Sequence, residues 1–213
     1  MPWKLPRLLC AAVLAIALRA LPASGQCSTF EIGVPIDSAN TSGGVFLGEA
    51  LGQTFFADAR PIESITVWRT WPYSTSIYGI HIYINPIDSL GRPDVDHMLL
   101  NGPTLHTNGD GINPTAFEFV FDPPLQLPKP GAYEFALQPD PCDGIWDLHD
   151  VKDKDLYVPG SIWKHSRSID PNCPLRRFPT NFPNGDLCFS IRFCDAATPT
   201  RKSTWGSVKV LYR

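Results

Sequence analysis

Short runs of alternating apolar and polar residues, separated by proline and glycine, constrain the fold of this chain more than any other feature. The sequence contains 22 prolines and 16 glycines, spread throughout its length. Alternation with a period of two is typical of a half-buried strand, and proline and glycine favour the turns between strands. The runs lie at residues 28–34, 52–57, 62–68, 79–85, 115–121, 132–138 and 186–193. The pattern predicts an all-β fold, an antiparallel β-sandwich of jelly-roll type.

Residues 140–185 lack this alternation. They are rich in proline, aspartate and asparagine, and they contain Cys142 and Cys173. We expect long cysteine-containing loops here, with a short strand near Tyr157.

The two ends of the chain differ from its middle. Lys4 and Arg7 precede an apolar run over residues 8–18, and small residues follow at Ala23 and Gly25. This pattern predicts a signal peptide over residues 1–25, removed before Gln26. The run is shorter than the roughly 20 residues of a membrane-spanning helix. We therefore expect an exported protein without a transmembrane segment, located extracellularly, in a periplasm or at a cell surface.

Charge separates the predicted sandwich from the tail. Residues 26–195 carry 11 basic and 21 acidic side chains, which argues against nucleic acid as a partner. Residues 196–213 carry four basic side chains and no acidic one. We expect this segment to be a separate tail, either a short helix or disordered, with a partner in export or attachment.

The cysteine count predicts disulfides with one thiol left over. Five cysteines follow the predicted cleavage site, an odd number. Cys188 and Cys194 lie six residues apart on one predicted strand, roughly 20 Å, so they cannot pair with each other. We favour bridges between Cys27 and Cys194 and between Cys142 and Cys173, with Cys188 free.

Strand parity predicts which side chains face the core. The inward set comprises Ile65, Val67, Ile80, Ile82, Ile84, Phe117, Phe119, Phe121, Tyr133, Phe135 and Leu137. The outward set includes two aromatic rings, an imidazole and polar groups, namely Trp68, Tyr83, His81, Glu118, Glu134 and Gln138.

The outward set has the chemistry of a sugar-binding surface. Pyranose rings stack on aromatic side chains, while sugar hydroxyls bind carboxylates, amides and imidazoles. The six outward residues are therefore candidate ligand-binding residues. The competing interpretation is that the 140–185 loops cover this face and bury Trp68 beneath them. Glu118 and Glu134 could also form a glycosidase pair if their strands paired in register, at the 5–5.5 Å separation of retaining enzymes.

Two loops concentrate oxygen ligands of the kind that calcium prefers. Asp94 with Asp96, and Asn108 with Asp110, have the alternate spacing of calcium loops. Neither pair completes a calcium-loop motif, and turn chemistry is the favoured explanation of "NGDG", with a structural calcium as the alternative. No other cofactor is expected. The segment 142–150 gathers Asp143, Asp147, His149 and Asp150, which could bind a metal, although a loop held by a disulfide is favoured.

Three stretches resemble a known group of proteins: "GQTFFADARPIESITVW", "GIHIYINPIDSLGRP" and "FEFVFDPPLQLPKPGAYEFALQ". They look like secreted bacterial jelly-roll domains with a GQTF strand, a group that is mostly uncharacterised. The resemblance covers residues 52–138 and implies a lectin-like or carbohydrate-binding-like β-sandwich, and it transfers no catalytic residue.

These observations favour a secreted, non-catalytic binding module whose ligand is a carbohydrate or a cell-surface glycan. The first alternative is a structural or adhesion module of the cell envelope without a small ligand. The second is a jelly-roll glycoside hydrolase.

Overall fold

The computed structural model describes residues 29–45, 49–69, 79–106, 113–140, 146–165 and 179–195. The strands in these ranges are β1 Thr29–Val34, β2 Thr41–Val45, β3 Ala50–Ala57, β4 Ile62–Arg69, β5 Gly79–Pro86, β6 Leu100–Leu105, β7 Thr115–Leu125, β8 Gly131–Asp140, β9 Trp146–Lys152, β10 Ile162–His165, β11 Thr180–Phe182, β12 Gly185–Leu187 and β13 Phe189–Cys194. Two short 3₁₀ helices occupy Ile36–Ser38 and Val95–His97. Within these ranges, neither helix has the length or apolarity to cross a membrane.

The strands form two antiparallel sheets packed face to face. Sheet A has the order β1-β13-β4-β9-β12, with β7 also paired to β4 and β2 to β9, and sheet B has the order β11-β10-β3-β8-β5-β6. The central strands β1-β13-β4-β7 and β3-β8-β5-β6 have the order of a jelly roll, in which early strands pair with late ones. The predicted all-β antiparallel sandwich is confirmed.

The core lies between the sheets and is formed by the residues that strand parity predicts to face inward. Phe119, Phe135, Ile65, Ile82 and Ile84 are completely buried. Phe121 is only partly buried against the same cluster. The alternation in the sequence therefore specifies the inner face of both sheets.

The GQTF stretch in the middle of β3 has a specific structural role. Gln53 faces inward, where its side-chain amide donates to Asp186 Oδ1 at 3.0 Å and its Oε1 accepts from the Leu187 backbone at 2.9 Å. The Thr54 hydroxyl oxygen accepts from the Ser161 backbone N–H at 2.8 Å. These bonds fasten the segment after β9 to the sandwich, because buried polar groups need partners.

The prediction of long loops across residues 140–185 is wrong for the described part of that segment. Strands β9, β10, β11 and β12 lie there and extend both sheets. Tyr157 lies in the turn between β9 and β10, and its ring meets Phe189 edge to face at 5.3 Å. The short strands carry charged and polar residues at positions where alternation would place apolar ones, so the pattern was obscured. Cys142, Cys173 and the tail lie outside the described residues.

The pairing of strand ends defines the two ends of the sandwich. His165 pairs with Ala50, Gly79 with Asp140, and Thr115 with Arg69 at one end. Cys194 and Thr29 are paired at the opposite end.

Candidate functional site

The six predicted ligand-binding residues do not form one surface. Trp68 on β4 and Glu118 on β7 belong to sheet A, whereas His81 and Tyr83 on β5 belong to sheet B. Glu134 and Gln138 on β8 also belong to sheet B. All six point away from the core, so the two groups lie on opposite outer faces of the sandwich. Sequence parity identifies the outward side of each strand but not which sheet the strand joins.

On sheet B, His81 and Tyr83 form a half-buried pair of rings near the start of β5. Their ring centroids lie 4.5 Å apart, with an angle of 56° between the ring planes. Tyr83 packs with Val95 and Met98 against Ala50 and Ala136. These contacts fix the Tyr83 ring, and both rings of the pair remain partly exposed.

Two sets of hydrogen bonds hold these two rings. The Tyr83 hydroxyl donates to Gln138 Oε1 at 3.0 Å. His81 Nδ1 lies 2.8 Å from Thr104 Oγ1, and Thr104 Oγ1 donates to Asp140 Oδ2 at 2.7 Å. His81 Nε2 lies 2.6 Å from Asn101 Oδ1. We call His81, Tyr83, Asn101, Thr104, Gln138 and Asp140 the His81 cluster.

The electrostatics of the His81 cluster keep its phenol protonated. Burial raises the pKa of the Tyr83 hydroxyl, and the carboxylate of Asp140 raises it further. The hydroxyl is therefore a donor at neutral pH, in agreement with its bond to Gln138. Asn101 and Asp140 are exposed, so the cluster presents an amide and a carboxylate beside two rings.

Sequence reasoning missed Asn101, Thr104 and Asp140. The first two lie on β6, "LNGPTL", whose glycine and proline concealed it as a strand. Both β6 and β8 pair with β5, which brings all three residues beside His81. The sequence predicts that His81 faces outward on β5. It does not predict which strands pair with β5, so the neighbours of His81 could be named only from the structure.

The expectation that Glu134 and Gln138 are surface residues is wrong. Glu134 is 0% exposed and Gln138 is 2% exposed. Glu134 Oε1 lies 2.7 Å from His165 Nε2, and its Oε2 accepts from Asn85 Nδ2 at 2.8 Å. Both partners lie on strands of the same sheet, His165 on β10 and Asn85 on β5, and they enclose the carboxylate of Glu134. An outward side chain is therefore not necessarily a solvated one.

On sheet A, Trp68 lines a groove of about 470 Å³. The groove also contains the apolar side chains of Ile32, Pro35 and Ile36, and the polar pair Glu31 and Ser190. Ser190 Oγ donates to Glu31 Oε1 at 2.7 Å. Trp68 is half-buried and packs against the edge of the core. We call this the Trp68 groove.

Glu118 stands on the same outer face as the groove, in an exposed ion-pair network. Arg192 lies 3.0 Å from Glu63 and 3.4 Å from Glu118. Exposed pairs of this kind typically contribute less than about 1 kcal/mol. Glu118 and Glu134 lie on different sheets and face opposite sides of the sandwich, so the predicted glycosidase pair is not brought together.

The candidate metal ligands do not converge in the described ranges. Asp94 Oδ2 contacts His97 Nδ1 at 2.7 Å, and Asp96 belongs to the same 3₁₀ turn. Asn108 and Asp110 lie outside the described residues, so the calcium prediction remains a prediction. Among residues that the structure describes, no group of three or more His, Cys, Asp or Glu side chains could hold a metal ion.

The described part of the 142–150 segment is a strand rather than a loop. Leu148 is buried on β9, and Asp150 shares its side of the strand, while Asp147 and His149 point the other way. Burial raises the pKa of Asp150 to about 6 and lowers the pKa of His149. The three side chains therefore do not converge on one metal.

Two of the cysteines are described, and they differ in state. Cys194 is disulfide-bonded, and the three cysteines predicted to form bridges with it or with each other lie outside the described residues. The bridges Cys27–Cys194 and Cys142–Cys173 thus remain predictions. Cys188 is a free, buried thiol, as predicted, and burial together with Asp150 and Asp186 raises its pKa to about 12.

Comparison with known proteins finds little similarity to this chain. No family model matches it, and no curated protein matches it. Among solved structures it is similar to the cysteine protease and lectin-like domains of Cwp84, a surface layer associated protein of Clostridium difficile. That match has 11% sequence identity and a TM-score of 0.44, and it covers 74% of this chain and 36% of the other. The chain therefore spans about a third of the length of that solved structure.

Proposed function

We propose that this protein is an exported, non-catalytic module that binds a glycan at the His81 cluster. The observation that carries the proposal is the partly exposed pair of rings, 4.5 Å apart, bordered by the exposed residues Asn101 and Asp140. Aromatic faces stack on the apolar face of a pyranose, and fixed amide and carboxylate groups bind its hydroxyls. Export rests on the signal-peptide pattern of residues 1–25.

The rigidity of the cluster supports binding. Tyr83 is fixed by Val95, Met98 and Gln138, and His81 is held through both ring nitrogens. Side chains that are already ordered lose little conformational entropy when a ligand binds. A sugar therefore meets a surface that needs little rearrangement.

The absence of catalysis is also part of the proposal. The carboxylates that sequence analysis considered for glycoside hydrolysis, Glu118 and Glu134, face opposite sides of the sandwich. In the His81 cluster, Asp140 is the one carboxylate, whereas glycosidases generally use two across the scissile bond. The cluster is thus suited to recognition of a sugar rather than to its cleavage.

The test is an array of neutral, amino and acidic oligosaccharides, probed with a protein comprising residues 26–213. Wild type should bind at least one class, and Tyr83→Ala should weaken that binding about tenfold or more, since one stacked ring contributes on the order of 1–2 kcal/mol. Phe56→Ala is the control, because Phe56 is 52% exposed on β3 and lies outside the cluster.

Two results would contradict the proposal. If no oligosaccharide is bound, an adhesion module without a small ligand becomes the better interpretation. If oligosaccharides are shortened on incubation, and Glu118→Gln prevents this, the module is a hydrolase.

A further inference from the structure

We propose that Asn101 determines the hydrogen-bond pattern offered to the ligand, and that its side-chain amide reverses when His81 gains or loses a proton. The inference rests on the glycan site proposed above and adds a pH-dependent specificity to it. It follows from counting protons along the chain Asp140–Thr104–His81–Asn101.

The first step fixes the proton on Nδ1 of His81. A hydroxyl has one proton to donate. Thr104 donates its proton to the Asp140 carboxylate at 2.7 Å, so its oxygen is left as an acceptor toward His81. His81 Nδ1, 2.8 Å away, must therefore be the donor of that bond.

The second step concerns Nε2 of the same ring. A neutral imidazole that carries its proton on Nδ1 has a bare lone pair on Nε2. Nε2 lies 2.6 Å from Asn101 Oδ1, a carbonyl oxygen that cannot donate. This arrangement is favourable only when His81 is an imidazolium that donates from both nitrogens. When His81 is neutral, a half-turn of the Asn101 amide presents its N–H₂ to Nε2 instead.

The surroundings leave Asn101 free to make this change. Asn101 is exposed, so the group that turns away from His81 faces the solvent or a ligand. The titratable groups near His81 are Tyr83 on its own strand, Asp140 on β8 and His106, whose ring lies against Gly79 just after β6.

The consequence is a change of ligand preference with pH. Histidine changes charge between about pH 5 and pH 8. At the acidic end Asn101 offers an N–H₂ donor to the ligand, and at the basic end it offers a carbonyl acceptor. A sugar hydroxyl group can hydrogen-bond to either the N–H₂ or the carbonyl of Asn101. A ligand acceptor such as a carboxylate or an ether oxygen can hydrogen-bond only to the N–H₂.

The experiment is an NMR titration of the protein comprising residues 26–213, following the ¹⁵N signals of imidazole nitrogens and of the asparagine amides. Neutral His81 should carry its proton on Nδ1, and the Asn101 amide signals should shift with the same midpoint as the His81 ring. His97 is an internal control, because its Nδ1 faces the Asp94 carboxylate rather than a side-chain amide.

Thr104→Val is the decisive variant. Valine keeps the branched shape but removes the acceptor at Nδ1, so neutral His81 can place its proton on Nε2 and donate to Asn101 Oδ1. The His81 ring should still titrate, while the Asn101 amide no longer reverses. The inference is overturned if neutral His81 in wild type carries its proton on Nε2, or if the Asn101 signals stay fixed while His81 titrates.

A binding measurement completes the test with any oligosaccharide that the array identifies. Wild-type affinity should change about three- to tenfold between pH 5 and pH 8, the effect of one net hydrogen bond, and Thr104→Val should remove most of this change. Equal pH dependence in both proteins would exclude Asn101 as the specificity determinant. An array without ligands at either pH would instead contradict the proposed function, even where the amide reverses as expected.

Discussion

His165 on β10 and Glu134 on β8 face each other on the outer side of sheet B, with 2.7 Å between Nε2 and Oε1. Their side chains are 1% and 0% exposed, and Asn85 donates to the second carboxylate oxygen. Gly52, directly beneath, has room for no side chain, because a Cβ there would collide with Glu134 Oε1. The glycine of the GQTF stretch therefore makes space for this buried pair.

The first prediction is that Gly52→Ala strongly destabilises the fold. The new methyl group would displace the Glu134 carboxylate from His165 and Asn85, and breaking a buried pair typically costs about 3–5 kcal/mol. Urea unfolding monitored by tryptophan fluorescence measures the loss. Gly131→Ala is the matched control, since a Cβ there meets no atom within 4 Å, and it should change stability by less than about 0.5 kcal/mol.

A double mutant identifies the cause of that loss. With Glu134→Ala in place, the space above position 52 is empty, so adding Gly52→Ala should cost little more. Additive losses from the two substitutions would mean that the Phe135 backbone, the other near neighbour of position 52, is responsible.

The second prediction concerns Asp150 and pH. Burial raises its pKa from 3.8 to about 6, so the folded state holds a proton that the unfolded state releases between these values. The folded state is thus favoured below pH 4 and loses this advantage as the pH rises through 6. Asp150→Asn should therefore stabilise the protein at pH 7 by about 1–2 kcal/mol, a figure discounted for partial exposure, and have little effect at pH 4.

Urea unfolding at both pH values measures this difference. Asp37→Asn, at an exposed carboxylate in the first 3₁₀ helix, is the control and should leave the stability unchanged at each pH. A stabilisation by Asp150→Asn that is equal at pH 4 and pH 7 would show that the ionisation of Asp150 is not the cause.

The fold was predictable from the sequence because alternation reports burial between two sheets. The seven runs all correspond to strands, and residues such as Phe119, Phe135 and Ile82 lie in the core as parity requires. The sequence did not predict strands such as β6, which contains glycine and proline, or the short strands after β8. These strands are stabilised mainly by pairing with their neighbours. In such strands, pairing with a neighbour outweighs the weak local pattern.

The candidate site was only partly predictable for a different reason. Parity correctly placed His81, Tyr83, Trp68 and Glu118 on outward faces, but it carries no information about which strands are neighbours. Asn101, Thr104 and Asp140 reach His81 through the pairing of β6 and β8 with β5. Glu134 is buried against His165 and Asn85, which are distant from it in sequence and lie on other strands of the same sheet.

The third prediction is that Cys188 is unreactive in the folded protein. Its thiol is 1% exposed, and burial with the nearby Asp150 and Asp186 carboxylates raises its pKa to about 12. The thiolate is the reactive form and is scarce at neutral pH. Iodoacetamide should label Cys188 only after unfolding in urea, as peptide mapping would show. Rapid labelling of Cys188 at pH 7.5 in the folded protein would contradict this, and Cys188→Ala serves as the blank.

The fourth prediction separates the two outer faces. Because Trp68 and Tyr83 lie on different sheets, one short oligosaccharide cannot contact both rings. If the His81 cluster is the binding site, Trp68→Ala should change affinity by less than about twofold, whereas Tyr83→Ala should abolish most binding. Trp68→Ala should nonetheless lower stability by about 2 kcal/mol, roughly half the cost of a fully buried tryptophan, because the ring packs against the edge of the core.

Isothermal titration and urea unfolding on the same samples measure both quantities. Trp68→Phe is the control, since it keeps an aromatic ring in the groove and should recover most of the lost stability. If Trp68→Ala abolishes binding while stability is unchanged, the ligand lies in the Trp68 groove between Ile36 and the Glu31–Ser190 pair. If Trp68→Ala and Tyr83→Ala each halve the number of glycans bound per protein, and the affinity of the remaining site is unchanged, each face binds its own glycan. The module can then link two glycan chains.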